Sequence, residues 1–318
     1  MSLPEKVSIV ELAPRDGFQS IKPWIDTGGK IKVAEMLLAA GVDEIEATSF
    51  VSPKAIEQMK DAPEVIAALL PKVDSGRIIA LAPNLKGVAN AAAAGVRKAA
   101  LVISASEAHN RNNVRRSPAE SLDELEVIRR DFPQMHIKLD VATVFGCPFT
   151  GEVPQKDITF VIDRAVELGV LDVALCDTVG VASPMQTRRL LADLMDRYGG
   201  RPINWALHMH NTRGLAAANT LVALEMGLNR FETAAGGLGG CPFAPGASGN
   251  MATEDLVFML QEMGVKTNVD LSRVLDCAEY MKDVLGLQLD SKISRQTMNK
   301  VTGRDCRTPE GQGVAAVQ

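Results

Sequence analysis

Aromatic side chains are scarce in this chain, at 4% of 318 residues with two tryptophans and two tyrosines. That scarcity argues against the base-stacking platforms of single-strand nucleic-acid binders. A basic surplus is also missing. Lys and Arg total 34 against 39 Asp and Glu, a formal net charge of −5. A general nucleic-acid binder carries the opposite balance, so an anionic small substrate would have to meet a local basic patch. No apolar run of about 18 residues is free of charged side chains, which leaves no candidate membrane span. The N-terminus meets Glu5 and Lys6 before an apolar signal core can form. The five cysteines are odd in number and show no CxxC spacing. They are expected as thiols of a reduced, cytoplasmic protein, not as a disulfide framework. No GxGxxG follows the first strand pattern and no GK[ST] ends a glycine loop, so dinucleotide and P-loop folds have no support. The remaining composition, 46% hydrophobic and 23% charged, is that of an ordinary globular protein.

What the chain does have is alternation. Short apolar or β-branched runs lie at Val7–Leu12, Glu44–Ser49, Arg77–Ala82, Ala99–Ser104, His136–Ala142, Leu171–Cys176, Ile203–Met209 and Arg230–Ala235. Amphipathic stretches follow at Gly29–Ala40, Ala55–Leu70, Leu85–Ala94, Ser121–Phe132, Gln155–Leu168, Pro184–Tyr198, Leu215–Met226 and Thr253–Met263. Strand–helix alternation implies parallel strands with crossover helices. A "GV" or "GL" pair recurs at Gly41, Gly95, Gly169 and Gly227, where glycine can supply a left-handed cap before the next strand. A large doubly wound sheet is the alternative, but the regular spacing favours an α/β fold of the (β/α)8 TIM-barrel type, which fits one domain of this length. The barrel is expected over residues 1–265. An additional C-terminal helical segment over 266–302, with one helix at Val269–Leu285, would pack on it, and 303–318 reads as a flexible tail.

Catalytic groups of such barrels sit at the C-terminal ends of the strands, and polar residues gather there. Arg15 and Asp16 follow the first strand, Glu46 lies in the second, Asp177 ends the sixth, and His208, His210 and Asn211 end the seventh. His208 and His210 are two apart on a strand, so their imidazoles share a face about 7 Å apart and can reach one ion. A hydrogen-bonded core histidine is the plainer reading, but these are two of only four histidines in the chain. Imidazole and oxygen ligands without a thiolate cage suit Mg²⁺ or Mn²⁺, with Zn²⁺ still open. Asp16 can supply a carboxylate ligand, although "PRDG" is also turn chemistry. Arg15 can steady an oxyanion or form a surface ion pair. Glu46, on an apolar strand, needs a cationic partner such as Arg15, in a structural or a catalytic setting. Asp177 either serves the site or caps the helix after its strand. The loop Gly236–Asn250 holds six glycines and Cys241, and can approach a ligand closely or act as a lid. Cys147 suits a turn and Cys176 the core.

These residues belong to longer motifs: "APRDGFQ" at 13–19, "IEATSFVSPKAIEQM" at 45–59, "APNLKG" at 82–87, "FGCPFTGEV" at 145–153, "DTVGVASP" at 177–184, "HMHNTRGLAAAN" at 208–219 and "GLGGCPFAPGASGNMATEDLVFML" at 237–260. In order and over about the first 260 residues, the chain resembles the 3-hydroxy-3-methylglutaryl-CoA lyase family of the DRE-TIM metallolyase group. The resemblance implies Asp16, His208, His210 and Asn250 as ligands of a divalent metal. It implies Arg15 as the stabiliser of an acetyl-thioester enolate, and Glu46, Asp177 and Gln19 as support around metal and substrate. Cys241 would close over the site and assist proton transfer. The implied reaction breaks the C2–C3 bond of a CoA thioester to give acetoacetate and acetyl-CoA, with His208 or a neighbouring carboxylate as base.

The chain departs from the family pattern in places. It reads "RDGFQSIKPWIDT" where the family has "RDGLQNE…IP", and Lys138-Leu139-Asp140 where it has "RGY". The stretch "HNRNNVRRS" at 109–117 also differs. These are substrate-side positions, and Lys138 is expected to bind substrate. A Claisen-type synthase or aldolase of the same group is the rival reading, but the residues after the eighth helix leave little room for its extra C-terminal region. A carboxyltransferase would need a biotin partner, and no biotin-attachment motif is present. A non-catalytic metal-binding barrel would not need Arg15 or Cys241. The partners expected are a CoA thioester and further copies of the chain, as a homodimer or higher homo-oligomer, with no nucleic acid and no membrane.

Overall fold

The structure, a computed structural model, describes residues 3–240 and 249–294. Its elements alternate as the sequence pattern predicts: β1 (Ser8–Glu11), α1 (Thr27–Ala39), β2 (Glu44–Ser49), α2 (Ala62–Leu69), β3 (Ile78–Leu81), α3 (Leu85–Ala93), β4 (Lys98–Ser104), α4 (Glu107–Val114), α5 (Pro118–Asp131), β5 (His136–Ala142), α6 (Gln155–Glu167), β6 (Asp172–Asp177), α7 (Pro184–Tyr198), β7 (Asn204–Met209), α8 (Ala216–Glu225), β8 (Arg230–Thr233), α9 (Thr253–Glu262) and α10 (Leu271–Asp283). The eight strands close into one barrel in chain order. All pairs are parallel, and β8 closes on β1 from Ser8↔Arg230 to Glu11↔Thr233. The fold is therefore a (β/α)8 barrel, with α10 as an extra C-terminal helix. No helix among the described residues is long and apolar enough to cross a membrane.

Local signals start and stop the helices. Asp26 accepts from the Gly29 amide at 2.9 Å, Asn84 from Gly87 at 2.9 Å, and Ser117 with Glu120 forms a reciprocal capping box. Gly41, Gly95, Gly169 and Gly227 all lie at positive φ, from 74° to 96°, which is the left-handed cap expected of them. At Gly41 a side chain would also meet Asn268: an added Cβ would lie 2.2 Å from its carbonyl oxygen. There the chain leading into α10 crosses the end of α1, and the Asp270 amide bonds Ala40 O at 2.7 Å.

Two local expectations fail. The single helix expected over 55–70 is a one-turn 3₁₀ segment, Glu57–Met59, followed by α2. Lys30 Nζ draws the Gln58 carbonyl and the Asp61 carboxylate inward at 2.5 and 2.9 Å, which turns the chain before the helix begins. Helix α4 occupies part of the basic stretch where no helix was expected. It is short and polar, so it has no apolar stripe to read; Ser106 caps it by accepting from the His109 amide.

The outer faces of the strands join the helices in one apolar core, which includes Leu139 and Val141 of β5. The interior is different. A (β/α)8 barrel is normally filled by layers of four side chains from alternate strands, mostly branched apolar ones. Here one layer is charged: Glu44 of β2, Lys98 of β4, Asp172 of β6 and Arg230 of β8. Lys98 Nζ lies 2.5 Å from Glu44 and 2.7 Å from Asp172, and Arg230 pairs with the same two carboxylates. Burial works against the Asp172 charge, but His136, Arg230 and Lys98 hold its carboxyl well below the usual range.

Candidate metal and substrate site

At the end of β1 the chain makes one turn of π-helix, Ala13–Gly17. Such turns recur at functional sites. This one carries Arg15 and Asp16 inward, and both are buried. The guanidinium is held from two sides: Nη1 reaches Asp16 Oδ1 at 2.5 Å and Nη2 reaches Glu46 Oε2 at 2.9 Å. Glu46 thus has the cationic partner its buried strand position requires. Arg15 Nε is buried and has no hydrogen-bond partner among the described residues. Gln19 Nε2 donates to Asp16 Oδ1 at 2.7 Å.

Across the mouth, β7 presents His208 and His210 with rings stacked, 5.4 Å between centroids and 8° between planes. His208 Nδ1 bonds the buried Glu232 Oε2 at 2.9 Å. A carboxylate on one ring nitrogen fixes the tautomer and leaves the other to a ligand. Nε2 of His208 is indeed buried with no hydrogen-bond partner among the described residues. Ligand atoms of Asp16, His208 and His210 all lie within 4.8 Å of one another. Burial works against the Asp16 charge, but Arg15, His210 and His208 outweigh it and keep the carboxyl below its ordinary value. Burial lowers His208, yet Glu232 and Asp16 leave it raised on balance.

Asn250 adds a fourth donor. It forms an isolated bridge with His210, and its Nδ2 donates to Asp16 Oδ2 at 2.7 Å and to Leu238 O at 2.9 Å. Its Oδ1 is buried without a hydrogen-bond partner among the described residues. Gly239 makes this possible. It lies at φ 123°, and a Cβ there would fall 2.5 Å from Asn250 Nδ2 and 3.1 Å from Asp16 Oδ2. Buried polar atoms left open in this way require an explanation. A divalent cation bound by imidazole and oxygen supplies one, so the residues fit the metal.

Other expected residues take different places. Lys138, expected to bind substrate, does not line the cavity. Its side chain is wholly buried, with Nζ 2.6 Å from both Asp140 Oδ1 and Glu232 Oε1. Burial lowers the ammonium, but Asp140, Glu232 and Glu46 more than restore it. Strand parity turns Lys138 into the barrel; its depth there makes it a counter-ion. Asp177 gives its two oxygens to the Val181 and Ala182 amides, each at 2.9 Å, and so shapes the loop after β6. It does not cap α7, whose cap is Ser183. Asn211 accepts from the Ala216 amide at 3.2 Å. Cys241 lies outside the described residues, as does the tail 303–318.

The site opens into a cavity of about 850 Å³. Arg15, Asp16, Gln19, His208 and His210 line it, with Trp24, His109 and Asp140 from the three stretches expected on the substrate side, and Cys176, which the sequence assigned to the core. His109 Nδ1 bonds Ser104 Oγ at 2.6 Å, and burial pulls this imidazole down to about 4. Trp24 has Lys30 Nζ 3.7 Å and Lys60 Nζ 4.2 Å from its ring. Its rarity in an aromatic-poor chain was the available signal.

A closed parallel barrel with a buried Asp–His–His cluster and an arginine at the mouth of a large cavity defines a metal-dependent (β/α)8-barrel enzyme. The model of the HMGL-like family matches residues 6–281. The chain belongs to that family, the HMG-CoA lyases of the DRE-TIM metallolyase superfamily. It is 42% identical to hydroxymethylglutaryl-CoA lyase YngG of Bacillus subtilis over 294 residues, 92% of this chain and 97% of that one. It is 38% identical to (R)-citramalyl-CoA lyase of Chloroflexus aurantiacus over 304 residues, 92% of this chain and 95% of that one. Its structure also matches an HMG-CoA lyase from Acinetobacter baumannii in complex with coenzyme A and 3-methylmalate. That match has a TM-score of 0.86 at 37% identity and covers 97% of this chain and 98% of the other.

Proposed function

We propose that this chain is a divalent-metal-dependent carbon–carbon lyase that cleaves 3-hydroxy-3-methylglutaryl-CoA, or a close 3-hydroxy-3-alkylglutaryl-CoA, to acetyl-CoA and acetoacetate or its homologue. The observation that carries this reading is the Asp16–His208–His210 cluster beside Arg15, whose buried Nε has no hydrogen-bond partner among the described residues, in one cavity. Asp16, His208, His210 and Asn250 would hold the ion, Mg²⁺ or Mn²⁺ by their chemistry. Such an ion, when bound, lowers the pKa of a coordinated hydroxyl. The protein's own groups do the rest. Glu232 holds the His208 ring, and Gln19 and Asn250 hold Asp16. Asp16 and Glu46 clamp the guanidinium so that its Nε–H is preset for a developing thioester enolate oxygen. Cys241, on the glycine loop, is assigned to closing over that enolate. The three described cysteines are free thiols, which supports a reduced, cytoplasmic setting; the chain would work there as a homodimer or higher homo-oligomer.

The acyl groups named for the two relatives share a 3-hydroxyl, a 3-methyl and a terminal carboxylate, and differ by one methylene. A methylene is worth only about 1–3 kcal/mol of discrimination, so a panel is needed. Thioesters differing at C3 and in the terminal carboxylate are assayed for kcat/KM with Mg²⁺ and Mn²⁺. The methylglutaryl compound is expected to be among the best. Equal turnover of compounds lacking the terminal carboxylate would remove the glutaryl assignment. No cleavage of any member, with condensation in the reverse direction instead, would make the chain a Claisen-type synthase.

A further inference from the structure

The cavity must hold a group that takes the proton from the substrate's 3-hydroxyl, and most acids of the site are already committed. Glu232 is clamped between His208 and Lys138, and Glu46 is paired with Arg15. Asp177 has spent both oxygens on amides, and Asp16 is a ligand held by Arg15, Gln19 and Asn250. Among the described residues, the carboxylates that line the cavity are Asp16, Glu57 and Asp140. Glu57 is at the rim, 77% exposed and paired with Lys60. Asp140, on β5, is different. It is 2% exposed, one oxygen faces Lys138 Nζ at 2.6 Å, and Oδ2 has no hydrogen-bond partner among the described residues. It also stands at a position where the chain departs from its family's sequence pattern.

We infer that Asp140 is the general base of the lyase reaction, taking the 3-hydroxyl proton on Oδ2 while Lys138 holds Oδ1. The inference rests on the lyase reading above. The O–H bond breaks and its electron pair forms the new carbonyl. The C2–C3 bond breaks, and its pair passes to C2 and the thioester oxygen as the enolate, against Arg15 Nε–H. Asp140 then holds the proton that C2 must gain. Its return to C2 gives the thioester product with no net proton taken or released. Lys138 positions Asp140; it does not touch the substrate.

The electrostatics suit this work. Lys138 is shared between Asp140 and Glu232, and Glu232 also bonds His208 Nδ1 at 2.9 Å. Glu232 therefore keeps its charge, while burial, against Lys138 and with Glu232 and Glu46 nearby, pushes Asp140 up to about 7. The other charged or titratable groups facing it are Arg15, His208 and Cys176. The Cys176 thiol is pushed well up by burial and by Asp140 and Glu232, and is a poor base at neutral pH. A base with a value near the working pH is the efficient choice.

The test uses the metal-loaded full chain and the thioester that the wild type turns over best. Wild-type kcat should fall on the acid side, because the base must be ionised. Asp140→Asn should lower kcat by about 10²–10⁴-fold, lose the acid limb, and keep its metal content, melting curve and thioester Kd. Asp140→Ala should be equally slow but gain at least about tenfold with added formate, a free carboxylate that fits the vacated space. A kcat for Asp140→Asn within threefold of wild type, or a loss confined to KM, would overturn the assignment. So would a wild-type kcat flat from pH 5 to 9, whether or not the variants fold. A wild type that cleaves the panel while Asp140→Asn stays fast refutes only the base. A wild type that cleaves nothing refutes the lyase reading and the base with it.

Discussion

Single contacts decide what each site residue can do. The Glu232 bond to His208 Nδ1 leaves Nε2 for a ligand, and the Asn250 amide, by donating to Asp16, leaves its own Oδ1 for one. His208→Ala and Asp16→Ala should therefore lose bound Mg²⁺ or Mn²⁺ and nearly all turnover while keeping the barrel. Elemental analysis with a circular-dichroism melt checks this, and full metal occupancy in both variants would sink the ligand set. Arg15 makes a separate case. Its fork is pinned by two carboxylates, and Nε is the guanidinium nitrogen without a hydrogen-bond partner among the described residues. Arg15→Lys keeps the charge but has no such planar geometry, so kcat should drop by about 10²–10³-fold, the usual cost of one oxyanion donor. A change confined to KM would make Arg15 a binding residue only. Much of this was legible in the sequence. Residues two apart on a strand must share a face, which brought His208 and His210 together. Asp16 could be read as turn or ligand, because its partners are 192 and 234 positions away at His208 and Asn250. Lys138 was expected on the substrate side from its place in the family pattern, and its position in the pattern gives no measure of how deep it lies.

At the level of elements, alternation and turn glycines revealed the barrel because each βα unit carries its own start and stop signals. Irregular pieces left no such trace. The π-turn at Ala13–Gly17 has no periodicity of its own, and α4 has no apolar face. The segment 55–70 has helical composition but is turned by Lys30 from a different helix. The charged layer was equally hidden, since Glu44, Lys98, Asp172 and Arg230 each stand at the start of a strand, where charge is ordinary. Together they close the barrel interior with two cations against two carboxylates. Removing one member of such a buried network strands its partners, at a cost of about 3–5 kcal/mol. Lys98→Met should destabilise the protein by about that amount in urea denaturation, with the chemistry at the opposite end of the barrel unaffected in the surviving folded fraction. A loss below about 1 kcal/mol would mean that Arg230, with His136 on Asp172, suffices for both acids.

The whole molecule combines buried acids of two opposite kinds, and their balance sets its response to pH. Glu11 accepts from the Ala13 and Ala235 amides and from Thr253, and Glu254 accepts from the Gly236 amide, so both brace the turn after β8. Burial pushes each up to about 7 from an ordinary 4.5. Below about 4.5 both are protonated, folded or unfolded, and they do not discriminate. Between about 4.5 and 7 the unfolded chain releases these protons and the fold does not, so stability falls as pH rises. His208, raised in the fold, acts in the same direction: its contribution is present at low pH and lost as pH rises through its folded value. Asp172 acts the other way. Its folded carboxyl lies below its ordinary 3.8, so its contribution is present above about 4 and is lost only in stronger acid. The metal-free protein should accordingly be most stable near about pH 5 and lose a few kcal/mol by pH 8. Metal reverses the trend, because its ligands bind it deprotonated and hold it more tightly as pH rises. Urea melts of chelator-treated protein at pH 5, 6.5 and 8, repeated with saturating Mn²⁺, measure both slopes. Glu254→Gln mimics the protonated acid and should make the metal-free slope shallower, with the Glu11 and His208 shares and the Asp172 limb below pH 4 left in place. Metal-free stability that climbs from pH 5 to 8 would show that Glu11 and Glu254 are ionised in the fold.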